Sequence, residues 1–152
     1  MSVANIRAQV KAILEGVADI GRVHEYDRWE VNWDEFLALF KATVGGIDQI
    51  RGWTIHSQSD GSAYPGTNNV GQFERLFLIR GYLGLKDDGA TEKTFDDLVE
   101  AVQKAFMGNY TLNGSAMNAE PPQVVTKEVR QLSDALVHYA EIHLRVRERA
   151  TF

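Results

Sequence analysis

The segment 136–147 alternates along its whole length. Leu136, His138, Ala140, Ile142, Leu144 and Val146 form one row; Val137, Tyr139, Glu141, His143, Arg145 and Arg147 form the other. Only an extended strand sends every second side chain to one face, so this segment demands a sheet, with the first row in its core. The second row turns steadily polar and basic and should meet water or a polar partner. A second strand, 72–83, is less tidy. Phe73, Phe77, Ile79 and Leu83 point one way, while Leu76, Leu78 and Tyr82 point the other. An antiparallel sheet with one wet face would alternate cleanly. Both faces here are apolar near the middle, so something should cover the second face.

Two amphipathic helices supply the first cover. Val3, Ile6, Val10, Ile13, Leu14 and Val17 fall on one stripe opposite Arg7, Lys11 and Glu15, with Ser2 as N-cap and Gly21 as stop. Phe95, Leu98, Val99, Val102, Ala105 and Phe106 define the second, capped by Thr91 and ended by Gly108-Asn109. Asp96 and Asp97 lie in its first turns, where the helix dipole favours acid. Residues 22–31 read as a short extended piece and a loop. Asn32 with Glu35 three residues on forms a capping-box pattern. It opens a short helix carrying Trp33, Phe36, Leu37, Leu39 and Phe40, which Gly45-Gly46 ends.

Residues 50–58 read as a strand centred on Trp53, Thr54 and Ile55. The stretch 59–71, dense in Gly, Ser, Asn and Pro, reads as a long loop, and loops of that length tend to be functional. Residues 86–89 read as a turn, 110–120 as irregular, and 124–130 as a strand. Ser133-Asp134 then turns it into a hairpin with 136–147. The fold expected is α+β, a single domain over 1–152: an antiparallel sheet of about four strands with helices packed mainly on one face.

Composition narrows function chiefly by exclusion. The 152 residues hold no cysteine, which removes disulfides, thiolate metal sites and cysteine nucleophiles. A net charge of −5 argues against general nucleic-acid binding. No uninterrupted apolar stretch marks a leader or a membrane span, so a soluble protein made in a cytoplasm is expected. No H-E-x-x-H, G-x-S-x-G or phosphate-binding loop occurs. His138 and His143 sit five apart on one strand and face opposite ways, so they cannot share a metal from it. A pairing of His56 with His138 across strands is open. Asp87-Asp88 and Asp96-Asp97 are accounted for as turn and helix-start residues. No catalytic residue, cofactor or metal is expected. Arg145, Arg147 and Arg149 form a basic strip, read first as a solvated strand face and second as a contact for an acidic surface or phosphate.

One feature exceeds the needs of a small domain. Trp29, Trp33, Phe36, Phe40, Trp53 and the two-faced strand at 76–79 are more apolar surface than one small sheet uses. Either the short helix folds onto the second face, or a neighbouring subunit does. The second alternative predicts an oligomer with Trp33, Phe36, Phe40, Leu76, Leu78 and Tyr82 at its interface.

The order of elements resembles the tail terminator (tail-completion) proteins of long-tailed bacteriophages. The residues carrying the likeness are 3–18 for the first helix, 72–83 for the long strand, 94–106 for the second helix, and the final strand with its run HYAEIHLRV at 138–146. The likeness covers most of the chain as architecture and few residues as motif, and 22–49 departs from it. It implies structural work without catalysis: a homo-hexameric ring that caps the tail tube, stops its growth and meets the head connector or stopper. It also implies assembly in the host cytoplasm into the virion neck. Asp60, Tyr64, Asn68 and Asn69 of 59–71, Asp87 and Asp88 of 86–89, and Arg145 and Arg147 would then contact the tube or connector. DNA would only pass through the lumen, repelled by roughly −30 of summed ring charge. Another neck or connector protein is the nearest variant. The runner-up is a cystatin-like or NTF2-like domain, in which Tyr26, Trp29, Trp33, His56 and Tyr82 would line a ligand cavity with a histidine as general base.

Overall fold

The computed structural model describes residues 2–63, 70–132 and 134–151, with side chains as far as Arg149. Its elements in order are α1 (Val3–Glu15), β1 (Arg22–His24), α2 (Trp33–Ala38), β2 (Lys41–Val44), β3 (Ile47–Ala63) and β4 (Val70–Gly84). A single 3-10 turn (Asp87–Gly89) follows, then α3 (Thr91–Met107), β5 (Asn118–Ala119), β6 (Gln123–Leu132) and β7 (Ala135–Thr151). The chain is α+β, and its sheet has seven strands rather than about four. Three long strands form the centre in the order β3-β4-β7, all antiparallel. Short strands line both margins: β2 and β1 share the outer edge of β3, and β6 and β5 share the outer edge of β7. β1 runs parallel to β3, so the sheet is mixed, not purely antiparallel.

The first face of the sheet holds the main core. Trp53 and Ile55 of β3, Phe77, Ile79 and Leu83 of β4, and Ala140, Ile142 and Leu144 of β7 lie under Ile6, Val10, Ile13 and Leu14 of α1 and Phe95, Val99, Val102 and Phe106 of α3. These are the periodic stripes of the sequence, buried as expected. The short helix α2 goes to the second face, where Phe36, Leu37 and Phe40 pack with Val137, Ile50 and Tyr82. The cover of the second face is therefore supplied by the chain itself, at the end of the sheet where α2 sits.

Two glycines let aromatic rings reach the sheet from both sides. A side chain at Gly81 would place its Cβ 2.4 Å from the Trp53 ring, and one at Gly52 would meet the Phe40 ring at 2.7 Å from the other face. Gly52 pairs with Tyr82 and Trp53 with Gly81, so the two close approaches are neighbours in the ladder. The Trp53 indole N–H donates to the Ile20 carbonyl at 3.1 Å, which satisfies its one polar atom.

Several local expectations are corrected. Gly45-Gly46 does not end a helix; α2 stops at Ala38, and the glycines turn a β2–β3 hairpin with φ of +61° and +77°. That pair of positive φ values is what a two-residue hairpin turn requires. Asn32 caps α2 by accepting the Asp34 amide at 2.8 Å, two residues on, not through a box with Glu35. The N-cap position of α3 is Ala90, left-handed at φ +52°, and the Thr91 hydroxyl reaches back to Lys86 instead. α1 ends at Glu15 with Gly16, before Gly21.

Of the expected loop over 59–71, the described residues are strand, since β3 continues to Ala63 and β4 begins at Val70, and 64–69 lie outside the described residues. Pairing with β4, itself paired to β7, overrides the weak strand preference of Ser, Asp and Gly there. Ser133 of the expected turn lies outside the described residues, while the β6–β7 hairpin itself is present.

The glycine approaches generate the first prediction. Gly81→Ala and Gly52→Ala should each lower stability by about 1–3 kcal/mol, as overpacking does. Gly61→Ala, whose nearest neighbour would be 3.8 Å away, should change it by less than about 0.5 kcal/mol. Urea unfolding of the three variants reads this directly.

Candidate functional site: charged groups on the second face and the arm

Cross-strand register sets three rows on the second face. They are His56–Leu78–His143, Thr54–Arg80–Glu141 and Gly52–Tyr82–Tyr139, each taken from β3, β4 and β7. The last row lies beneath α2, where Phe40 and Tyr82 ring centres are 4.8 Å apart and Tyr82 and Tyr139 5.3 Å apart. Beyond α2 the face is charged. Arg80 donates from Nη1 to Asp27 Oδ2 at 2.9 Å and from Nε to Glu141 Oε1 at 3.2 Å. Asp27 also holds His56 Nδ1 at 3.1 Å, and Glu141 Oε2 lies 3.6 Å from His143 Nε2. Asp27 comes from the connection between β1 and α2, so this chain of contacts ties that connection to the sheet.

The surroundings push these groups in definite directions. Burial alone would lower the Arg80 guanidinium, but its hydrogen bond to Glu141 and the charge of Asp27 outweigh that and hold it above its ordinary value. Burial under α2 pushes the Tyr82 phenol up to about 12. Tyr139 is raised by burial and by the Glu141 charge, with the Arg130 guanidinium stacked 3.6 Å over its ring. A carboxylate on an imidazole nitrogen is the arrangement that orients a general base. Among the described residues, however, no hydroxyl is hydrogen-bonded to His56 for such a base to activate.

The second charged group lies where the sheet extends past its helices. Every β3 residue from 58 to 63 is exposed, so three paired strands project there as an arm. A bulge between Ser57 and Ser59 puts Asp60 on the first face beside Arg75. Arg75 donates to Asp60 Oδ1 and to Glu148 Oε2, each at 2.8 Å. Glu148 is only 2% exposed, a buried carboxylate with a guanidinium partner. On the arm's second face Arg147 sits 3.6 Å from Glu74 and 3.5 Å from Glu120. Arg145, two residues away, has no ion-pair partner among the described residues. A cleft of about 280 Å3 between Ser59, Glu74, Leu76, Glu120, Arg145 and Arg147 opens beside it.

Some of the sequence candidates therefore converge. Asp60, Arg145 and Arg147 share the arm, while Tyr64, Asn68 and Asn69 lie outside the described residues. Asp87 and Asp88 sit past the other end of β4, and Asp87 edges a groove with His138. Phe36, Phe40 and Leu78 are buried within their own chain, Tyr82 and Leu76 are half-buried, and Trp33 is exposed.

Of the pocket residues, Trp29, Trp33 and Tyr82 meet around the Phe36 ring, at 6.0, 5.4 and 6.2 Å between ring centres, while Tyr26 is exposed. The three described clefts are lined by other residues than these four and His56. His138 faces the first side, stacked on Phe95, so His56 shares its row with His143 and not with His138. Sequence reasoning missed Asp27, Arg80, Glu141, Arg75 and Glu148. One signal was available: Glu148 continues the core row of Leu144 and Val146.

With this geometry in place, comparison with known proteins adds no relative: no protein-family model matches the chain, and no curated protein matches its sequence. No helix among the described residues is long and apolar enough to cross a membrane.

Two predictions follow from the charges. Arg75→Met leaves Glu148 buried without its opposite charge, and Glu148→Gln combined with Asp60→Asn does the same to Arg75. Each should cost about 3–5 kcal/mol in urea unfolding. Burial holds the His24 and His138 imidazoles below the ordinary value of 6.5. The unfolded chain then binds protons more readily, so stability is fully present above pH 6.5 and is lost as pH falls through the lowered folded values. His24→Gln with His138→Gln should flatten that acid slope in unfolding midpoints measured from pH 7.5 downward.

Proposed function

We propose that this chain is a ring-forming structural protein of a long-tailed bacteriophage, of the tail-terminator type. In this reading copies of the chain, six in the closed ring, cap the finished tail tube and present a surface to the head connector or stopper. Assembly takes place in the host cytoplasm, the ring ends in the virion neck, and DNA passes through its lumen without being bound. The work is done by binding and shape, with no reaction catalysed.

The arm is the observation that carries the reading. The exposure is on its outer strand: β3 is exposed throughout 58–63, while Val146 and Glu148 of β7 in the same arm are buried. On the outer edge of β3, no strand among the described residues pairs beyond Thr54. At Ile55 the edge carbonyl is taken by the Arg7 guanidinium at 3.1 Å. Past that point the edge offers backbone groups to another chain. The closing hairpin, the two helices on one face and the long antiparallel strands at the centre fit the architecture that the tail-terminator likeness implies. The charges of Asp60, Arg75, Glu74, Arg147 and Glu120 lie on the same arm and suit a polar contact with a tube or connector.

The test is functional and needs no prior partner. Purified chain added to a polymerising tail-tube protein of a long-tailed phage should stop elongation and appear in negative stain as a ring at one tube end. Arg145→Glu should weaken that capping and leave the unfolding free energy within about 0.5 kcal/mol of the parent, since that side chain is exposed and has no ion-pair partner among the described residues. Tubes that elongate unchanged at saturating chain, across tube proteins from several such phages, would remove the reading.

A further inference from the structure

The connection between β1 and α2 is an apolar knob. Trp29 is 71% exposed, Tyr26 57% and Trp33 46%, and Val31 is fully exposed. Monomeric proteins rarely gather that many large apolar side chains within eight residues at the surface. The knob is also held in place. Asp27 fastens it to Arg80 and His56, and the Trp29 ring rests 6.0 Å from Phe36. A rigid apolar projection loses little freedom on binding, which is what a docking element needs.

The same chain carries a matching depression. A groove of about 420 Å3 runs between the start of α3 and β6, over Leu85, Phe95, Val129 and His138. Val129 and neighbouring Leu136 are about half exposed at its margin. The two features sit at opposite margins of the sheet and on opposite faces. The knob follows β1 on the β3 side and rests on the second face. The groove lies on the first face beside β6, on the β7 side. Both surfaces carry charges of both signs: Arg28 and the exposed Glu30 in the knob, and Asp87, Glu92, Asp96 and Glu128 with Lys93 and Lys127 at the groove. Arg28, in the knob, lies 5.5 Å over the Tyr26 ring and has no acidic partner among the described residues. Asp87 and Glu92 at the groove have no basic partner among them.

We infer that the knob of one copy docks in the α3–β6 groove of the next, making a head-to-tail contact between identical chains. Trp29 enters over Val129 and Leu136, and Arg28 meets Asp87 and Glu92. Because the two surfaces differ, each copy keeps one free knob or groove until the series closes, so the contact builds a ring rather than a simple two-fold dimer. Three aromatic side chains that are 46–71% exposed, of about 150–250 Å2 each, supply about a third to a half of the roughly 800 Å2 per partner that a stable interface uses. The inference deepens the ring reading above and rests on it for the closure of the series.

Light scattering of the full chain, alone and in mixtures, tests it. The parent should form a species larger than a dimer. Trp29→Ala and Val129→Asp should each weaken self-association about 30-fold or more, as loss of an interface anchor does. Both side chains are half-exposed or more, so urea midpoints should confirm that each variant is folded. The decisive sample is an equal mixture of the two variants. It retains one intact knob and one intact groove, so it should give a dimer and nothing larger. A parent that stays monomeric, variants that assemble like the parent, or a mixture that stays monomeric would each overturn the contact. A ring that survives both substitutions removes this contact and leaves the ring reading standing. A ring that needs the contact but ignores tail tubes does the reverse.

Discussion

The fold turns on a pinch in the sheet. At one point of the β3–β4 ladder, Trp53 presses on Gly81 from the first face while Phe40 presses on Gly52 from the second. Neither ring could come so close to a residue with a Cβ. Each ring begins a stack. Trp53 continues through Phe95 to His138 and so fixes the start of α3, while its indole N–H fixes the chain at Ile20, between α1 and β1. Phe40 continues through Tyr82 to Tyr139 and through Phe36 to Trp29, and so fixes α2 and the connection before it. Two helical layers on opposite faces thus take their position from neighbouring residues of one strand pair.

The rest of the molecule divides around that point. On the α2 side the sheet is covered on both faces and its charged residues are few. Away from it the second face becomes an ionic row and then an arm, held by ion pairs more than by burial. A three-way arrangement such as Asp60–Arg75–Glu148 does for the arm what hydrophobic stacking does for the body, since cross-strand charge pairs fix the alignment of strands that have little core to share. The two parts therefore differ in what disturbs them: the body responds to volume changes, and the arm to charge and protonation.

Much of the body was legible in the sequence. The period of 3.6 in Val3, Ile6, Val10 and Ile13 and the period of 2 in Leu136 through Val146 are strong local signals, and both stripes are buried where they should be. Short strands were not legible. Arg22–His24, Lys41–Val44 and Asn118–Ala119 are two to four residues long and exist only because a longer strand offers them an edge. The strand ends at 59–63 were read as loop, because Ser, Asp and Gly say little about pairing that β4 imposes from outside. The ionic site was least legible. Asp27, Arg80 and Glu141 are separated by more than fifty residues at each step and meet only through the register of β4 with β7. The double glycine at 45–46 carried a hairpin signal that a helix-ending reading overrode.

The bulge at Gln58 acts as a change of reading frame within β3. Up to Ser57 the odd-numbered residues face the helices, and beyond it the even-numbered ones do. The arm's outer strand therefore has its inside and outside set by the presence of one extra residue rather than by the identity of any. Were Gln58 taken into the ladder opposite Leu76 instead of bulging, every side chain from Ser59 to Ala63 would turn over and Asp60 would leave Arg75 for the opposite side; deleting Gln58 would instead straighten the strand and keep Asp60 opposite Arg75.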